Sequence, residues 1–124
     1  MTATTLILIF ISVTLSALAQ WSFKAGVSGE RVRAAMQDGS VFDQVLAFAL
    51  SPPILLGLGM YGFGTILWLG VLSRVDLSQA YPFVGLGFIL TALIGYFVFH
   101  DNFSAMRILG TLLVITGVYL VARG

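Results

Sequence analysis

The stretch QVLAFALSPPILLGLGMYGFGTILWLGVLS, from Gln44 to Ser73, contains no charged side chain. A helix needs roughly 20 apolar residues, at about 1.5 Å each, to cross a hydrocarbon core of about 30 Å. The part beyond Pro53 meets that length. A charge at its centre would cost at least about 2.5 kcal/mol, so an uninterrupted run of this kind reads as a membrane span. Ser51-Pro52-Pro53 marks its start, because the first helical turn tolerates a residue with no amide donor.

The remaining chain repeats the pattern. Its six basic and five acidic side chains fall only within 24–43, 74–76, 101–107 and at Arg123. Three further uncharged blocks remain, Met1 to Phe23, Leu77 to His100 and Ile108 to Ala122. The last gains the needed length from residues beside Arg107. We therefore expect an all-α membrane protein with a single domain over 1–124 and transmembrane helices at about 4–24, 54–72, 78–99 and 104–122. The short connections at 73–77 and 100–103 make neighbouring helices antiparallel, giving an up-down bundle with both termini on one side.

Composition supports this solvent assignment. The chain is 59% hydrophobic and 9% charged, against about a quarter charged in soluble domains. It has no cysteine, which removes disulfides, thiolate metal sites and cysteine nucleophiles together. A net charge of +1 from scattered Lys and Arg gives no basis for nucleic-acid binding. Ala17-Leu18-Ala19 before Gln20 resembles a signal-peptidase site. However, Met1 to Thr5 has no basic residue and the apolar run continues through Trp21 and Phe23, so an uncleaved first helix is expected.

Ala25 to Pro53 is the one long connection. Its first part, punctuated by Gly26, Ser28, Gly29 and Gly39, reads as a loop with a frayed helical turn. Its second part places Val41, Phe42, Val45, Leu46 and Phe48 at helical spacing, which predicts a short interfacial amphipathic helix over about 41–50. Lys24, Arg31, Arg33 and Arg107 lie on one side of the bundle, against Arg74 and Arg123 on the other. This four-to-two excess of basic residues leans toward loops one and three in the cytoplasm and both termini outside.

Gly57-Leu58-Gly59-Met60-Tyr61-Gly62 has the letters of a dinucleotide-binding turn, but that turn requires a preceding strand and an opening helix. Inside an apolar span the glycines instead allow helix backbones to approach. Gly110 and Gly117, seven residues apart on helix four, lie on nearly one face and mark a candidate helix–helix interface. A bundle of four helices with so little polar material is expected to be too thin to enclose a solute path, which points that face toward a second chain.

Polar side chains inside the spans carry the functional reading. Ser16, Gln20 and Lys24 are spaced i, i+4, i+8, forming one ridge along helix one that ends in a cation. A lone Lys at such a depth can simply snorkel to the surface. Tyr81, before Pro82 at the start of helix three, offers a phenol to a partner or to a sugar. Tyr61, Trp68 and Tyr96 read as packing or interface aromatics. His100-Asp101 is too small a set for a metal or a general base and reads as part of the turn before helix four, where Asp101 or Ser104 caps the helix. No catalytic, metal or cofactor residues are expected.

These features resemble the drug/metabolite transporter superfamily. The resemblance rests on the Ser16, Gln20, Lys24 stripe, on Leu77-Ser78-Gln79-Ala80-Tyr81-Pro82 and on His100-Asp101 followed by Leu109-Gly110 through Gly117-Val118. Within the superfamily the chain is similar to four-helix proteins akin to small multidrug resistance transporters, and to subunits assigned as flippases for aminoarabinose-phosphoundecaprenol. The resemblance covers about Thr4 to Ala122. It implies a non-enzymatic flippase subunit of the bacterial inner membrane. Such a subunit moves a polyprenyl-phosphate-linked sugar in a groove between two protomers of a homodimer or heterodimer. Ser16, Gln20 and Tyr81 would then meet the head group and Lys24 its phosphate.

The departures from that pattern weigh on the alternatives. Small multidrug resistance exporters depend on a Glu in helix one. Counted back eight residues from Lys24, that position is Ser16. Val84 stands where those exporters carry a Trp. An exporter of small cationic or amphipathic compounds is therefore the second reading. A non-transporting assembly subunit is the third.

Overall fold

The computed structural model describes residues 2–124 and consists of helices joined by short turns. The first helix, α1 (Ala3–Val27), is followed by two short helices, α2 (Glu30–Asp38) and α3 (Val41–Ala49). The second long helix is α4 (Pro52–Leu72). Helix α5 (Leu77–Ala80), a 3₁₀ turn (Tyr81–Phe83) and α6 (Val84–Phe97) form the third spanning unit, and α7 (Ala105–Arg123) the fourth. Each of the four units is long and apolar enough to cross a bilayer, as the charge pattern required. With 25 residues, α1 is about 38 Å long, so it tilts or projects beyond a hydrocarbon core of about 30 Å.

Antiparallel packing of α1 on α4 is the main contact of the bundle. Gly57 lies against Ala19 and Phe23, and Gly64 lies against Ser12 and Leu15. As α4 advances, its contacts move backward along α1. A Cβ on Gly57 would stand 2.7 Å from the Phe23 ring and 3.1 Å from the Ala19 carbonyl oxygen, so glycine is what permits this approach. Gly59 and Gly62, from the same run, meet nothing and face outward. The packing role expected for this stretch therefore belongs to Gly57 and, seven residues on, Gly64.

At the end of the bundle that holds the termini, Ile9, Val13, Val71, Ala80, Phe83 and Val118 form the principal core. At the other end, Val32 and Ala47 join α2 and α3 to Ile54 at the start of α4, with Phe23 packed alongside. The frayed loop expected here is instead a nine-residue helix. Val32 supplies the reason, since its burial rewards an ordered turn that the surrounding glycines and charges do not favour. Helix α3 forms as expected. Ser40 and Asp43 build a reciprocal capping box, with Ser40 accepting from the Asp43 amide at 3.3 Å and Asp43 accepting from the Ser40 amide at 3.1 Å. Val41 and Phe42 are 75% and 72% exposed, an apolar face suited to the membrane interface.

The third span differs from one continuous helix over 78–99. Pro82 lacks an amide donor and its ring crowds the preceding turn, so the backbone tightens into a 3₁₀ turn at Tyr81–Phe83. Alone, α6 has 14 residues, about 21 Å, too short to span. Together with α5 and the 3₁₀ turn, it completes the 21-residue unit Leu77–Phe97. The connection to α7 passes through His100, whose φ of 56° is left-handed. Ser104 accepts from the Arg107 amide at 3.3 Å and is the cap of α7.

Helix α7 sits at the margin of the bundle rather than within a compact four-helix core. It touches α6 and the 3₁₀ turn, and Val118 is its one buried residue. A Cβ at Gly110 or Gly117 would meet nothing within 4 Å, so neither glycine is needed for packing within the chain.

Candidate functional site

The local register of α1 determines which polar groups face inward. Ser12, Ser16 and Gln20 recur every four residues and line one side of a cavity of about 410 Å³. Tyr61, Thr65 and Trp68 reach it from α4, while Tyr81 and Thr91 reach it from the third spanning unit. Small residues leave room for the space, as Ala17, Gly64 and Gly87 also border it. Gln20, Tyr61, Thr65, Tyr81 and Phe88 are themselves exposed, so the cavity opens outward instead of being sealed.

The polar groups divide into two kinds. Ser12, Thr65 and Thr91 donate their hydroxyls to the backbone carbonyls of Ile9, Tyr61 and Phe88, at 3.1, 2.8 and 2.9 Å. Their remaining lone pairs are acceptors. Ser16, Gln20, Tyr61 and Tyr81, which also line the cavity, make no side-chain hydrogen bond to another described residue, so their donors and acceptors are unengaged within the chain. Trp68 and Phe88 add flat apolar faces. This arrangement can accept a polar, hydroxyl-bearing group beside an apolar one.

Three of the four expected binding residues, Ser16, Gln20 and Tyr81, thus share one cavity. Lys24 does not line it. It stands one turn beyond Gln20 on the same stripe, exposed in the last turn of α1. A thin bundle unable to enclose a path was expected. The cavity nevertheless lies between helices of one chain, where α1, α4 and α6 meet, and the small residues Gly64, Gly87 and Ala17 on its border take up little of the space.

Ser12, Thr65 and Thr91 were not singled out by sequence, and Tyr61 and Trp68 read as packing residues. Ser12 had a usable signal, since it continues the four-residue spacing back from Ser16. On α4, Tyr61, Thr65 and Trp68 share one face at i, i+4, i+7 spacing, a signal masked because two of the three are aromatic and fit an apolar span. No described carboxylate lines the cavity, and the described residues contain no cluster of three His, Cys, Asp or Glu side chains.

A smaller cavity of about 360 Å³ lies between α6 and α7 and contains Arg107. It shares Phe88 and Thr91 with the first. Lys24 does not line this cavity either.

No family model matches the chain, and no solved structure matches it. Curated relatives do. A protein of Pseudomonas savastanoi pv. phaseolicola named "Probable 4-amino-4-deoxy-L-arabinose-phosphoundecaprenol flippase subunit ArnE" is 33% identical over 119 residues, covering 96% of this chain and 97% of the relative. Proteins of the same name from Pseudomonas syringae pv. syringae and Pseudomonas fluorescens are 37% and 41% identical. Those matches cover 61% and 59% of this chain and 70% and 64% of the relatives. Similarity at this level over nearly the full length of both chains shows that this multi-pass membrane chain, with its four helices able to span a bilayer, belongs to the ArnE family of aminoarabinose-phosphoundecaprenol flippase subunits.

Proposed function

We propose that the chain is one subunit of a flippase that moves a polyprenyl-phosphate-linked aminosugar between leaflets of the bacterial inner membrane, leaving every covalent bond of the lipid intact. The observation that carries this reading is the open cavity in which Ser16, Gln20, Tyr61 and Tyr81 converge with unengaged polar groups. A sugar crossing the bilayer loses its water, and unreplaced hydrogen bonds would each cost about 1–3 kcal/mol. Groups in the cavity replace them, while the polyprenyl tail remains in lipid. Lys24, one turn beyond Gln20, supplies a counter-charge for the phosphate near the membrane surface.

Export of cations by proton exchange is the weaker reading. Ser16 occupies the place of the exporters' acid, and no described carboxylate lines the cavity to carry the proton. The exposed face of α7 around Gly117 supports assembly with a second four-helix chain, either a copy or a relative. That partner completes the transport unit.

The test is movement of a polyprenyl-phosphate sugar in proteoliposomes, read by a membrane-impermeant reagent that attacks the outer-leaflet amine. Movement by the wild type, alone or with its partner subunit, together with loss in Lys24→Ala supports the reading. No movement in either setting overturns it. Equal movement by the variant removes Lys24 from the site but keeps the function.

A further inference from the structure

The smaller cavity has a chemistry of its own. Arg107, in the first turn of α7, enters it from the side of the membrane that holds loops one and three. One guanidinium nitrogen, Nη1, donates to the Asn102 carbonyl at 2.6 Å. That bond fixes the side chain over the cavity and leaves the rest of its five-donor fork unused. Thr111 and Thr91 face the same space, and each already donates its hydroxyl to its own helix, to the Arg107 carbonyl at 2.8 Å and the Phe88 carbonyl at 2.9 Å. What they offer a ligand is acceptor lone pairs. The cavity therefore combines one concentrated cationic donor with two neutral acceptors, beside the apolar faces of Phe88, Ala92 and Phe103.

No acidic residue is among its lining. An unpaired guanidinium facing such a cavity matches a phosphate, which it can bind through two parallel hydrogen bonds. The threonine oxygens match sugar hydroxyls or an ammonium group. Phe88 and Thr91, one turn apart on α6, belong to this cavity and to the larger one.

From this juxtaposition we infer that Arg107, Thr91 and Thr111 form a second site for the lipid-linked sugar, on the side of loops one and three, in which Arg107 binds the phosphate ester and the two threonine oxygens accept from the sugar's hydroxyl or ammonium groups. The head group then passes Phe88 and Thr91 to reach Gln20 and Tyr81. The inference rests on the flippase reading above and adds to it a station, a phosphate-binding residue and a route.

The experiment is equilibrium binding of fluorescent polyprenyl phosphate to the full chain in lipid nanodiscs, with inorganic phosphate as competitor. Wild type, Arg107→Gln and Ala92→Leu are compared. Ala92→Leu fills the cavity without touching the Arg107–Asn102 bond, so it tests the site even if Arg107→Gln unfolds. We expect Arg107→Gln to bind about ten-fold more weakly, the weight of one charge-assisted interaction, and Ala92→Leu to weaken binding about as much by occupying the space. Millimolar inorganic phosphate should displace the probe if the phosphate alone is recognised. Failure of inorganic phosphate to compete, with both variants still weakened, assigns the site to the lipid-linked ester.

Unchanged binding in folded Ala92→Leu overturns the inference and leaves the flippase reading standing. So does retained binding accompanied by loss of co-purification with a second chain, which would make the groove a protein interface. Absence of binding by the wild type, both alone and with its partner subunit, overturns both.

Discussion

Gly57 rests on the backbone of Ala19, so close that a Cβ would lie 3.1 Å from the Ala19 carbonyl oxygen. This contact sets the distance between α1 and α4, and with it the width of the cavity that begins one turn above. Gly57→Val should destabilise the bundle by about 1–3 kcal/mol, as overpacking commonly does. Gly59→Ala, at a position facing open space, should be neutral or gain up to about 1 kcal/mol from helix propensity. Thermal unfolding in detergent micelles compares the two; equal losses would contradict the packing assigned to Gly57.

Gln20 and Tyr81 approach the larger cavity from different spanning units, so their removal should affect transport before stability. Gln20→Leu and Tyr81→Phe should each lower the initial rate of lipid movement by about ten-fold, corresponding to about 1.4 kcal/mol lost from one hydrogen bond. Unfolding temperatures should stay within a few degrees of wild type. A rate loss matched by a large fall in unfolding temperature would mean that these groups hold the fold instead.

Gly117 faces away from its own chain. Gly117→Leu should leave monomer unfolding unchanged yet weaken association with the second subunit by about ten-fold or more, since a bulky side chain prevents close helix approach. Förster transfer between labelled subunits in nanodiscs measures this directly. Undiminished transfer would place the interface elsewhere.

Ser40 and Asp43 cap α3 reciprocally. Ser40→Ala should cost about 1 kcal/mol locally and accelerate hydrogen exchange at the Asp43 amide about five-fold, with little effect on α1 or α4. Exchange rates equal to wild type would show that burial of Ala47 and Val32, rather than the cap, holds this segment.

The membrane class, the four spans and their alternation were legible in the chain itself. Hydrocarbon rejects charge locally and strongly, so eleven charged positions are enough to delimit four helices without knowledge of any contact. A cap for α7 at Asp101 or Ser104, and a start of α4 within a turn of Pro52-Pro53, were readable too, and the structure selects Ser104 and Pro52. Both depend on residues adjacent in sequence. The Ser16, Gln20 stripe was visible because a four-residue spacing fixes one helix face.

Tertiary structure decided the rest. Periodicity places residues on a face but does not say what the face meets. On α4, Tyr61, Thr65 and Trp68 share a face by spacing, but nothing in an otherwise apolar helix shows that this face turns inward. Whether Gly57 packs and Gly59 does not depends on how α1 lies against α4. The order in 30–38 comes from Val32 meeting Ala47 and Ile54, contacts separated by many residues in sequence. The peripheral seat of α7 and the junction of two cavities at Phe88 and Thr91 have the same origin. In a bilayer every helix is already apolar, and hydrophobic burial no longer ranks one helix pairing over another. Close packing at small residues makes that choice, and it exists only once the helices are together.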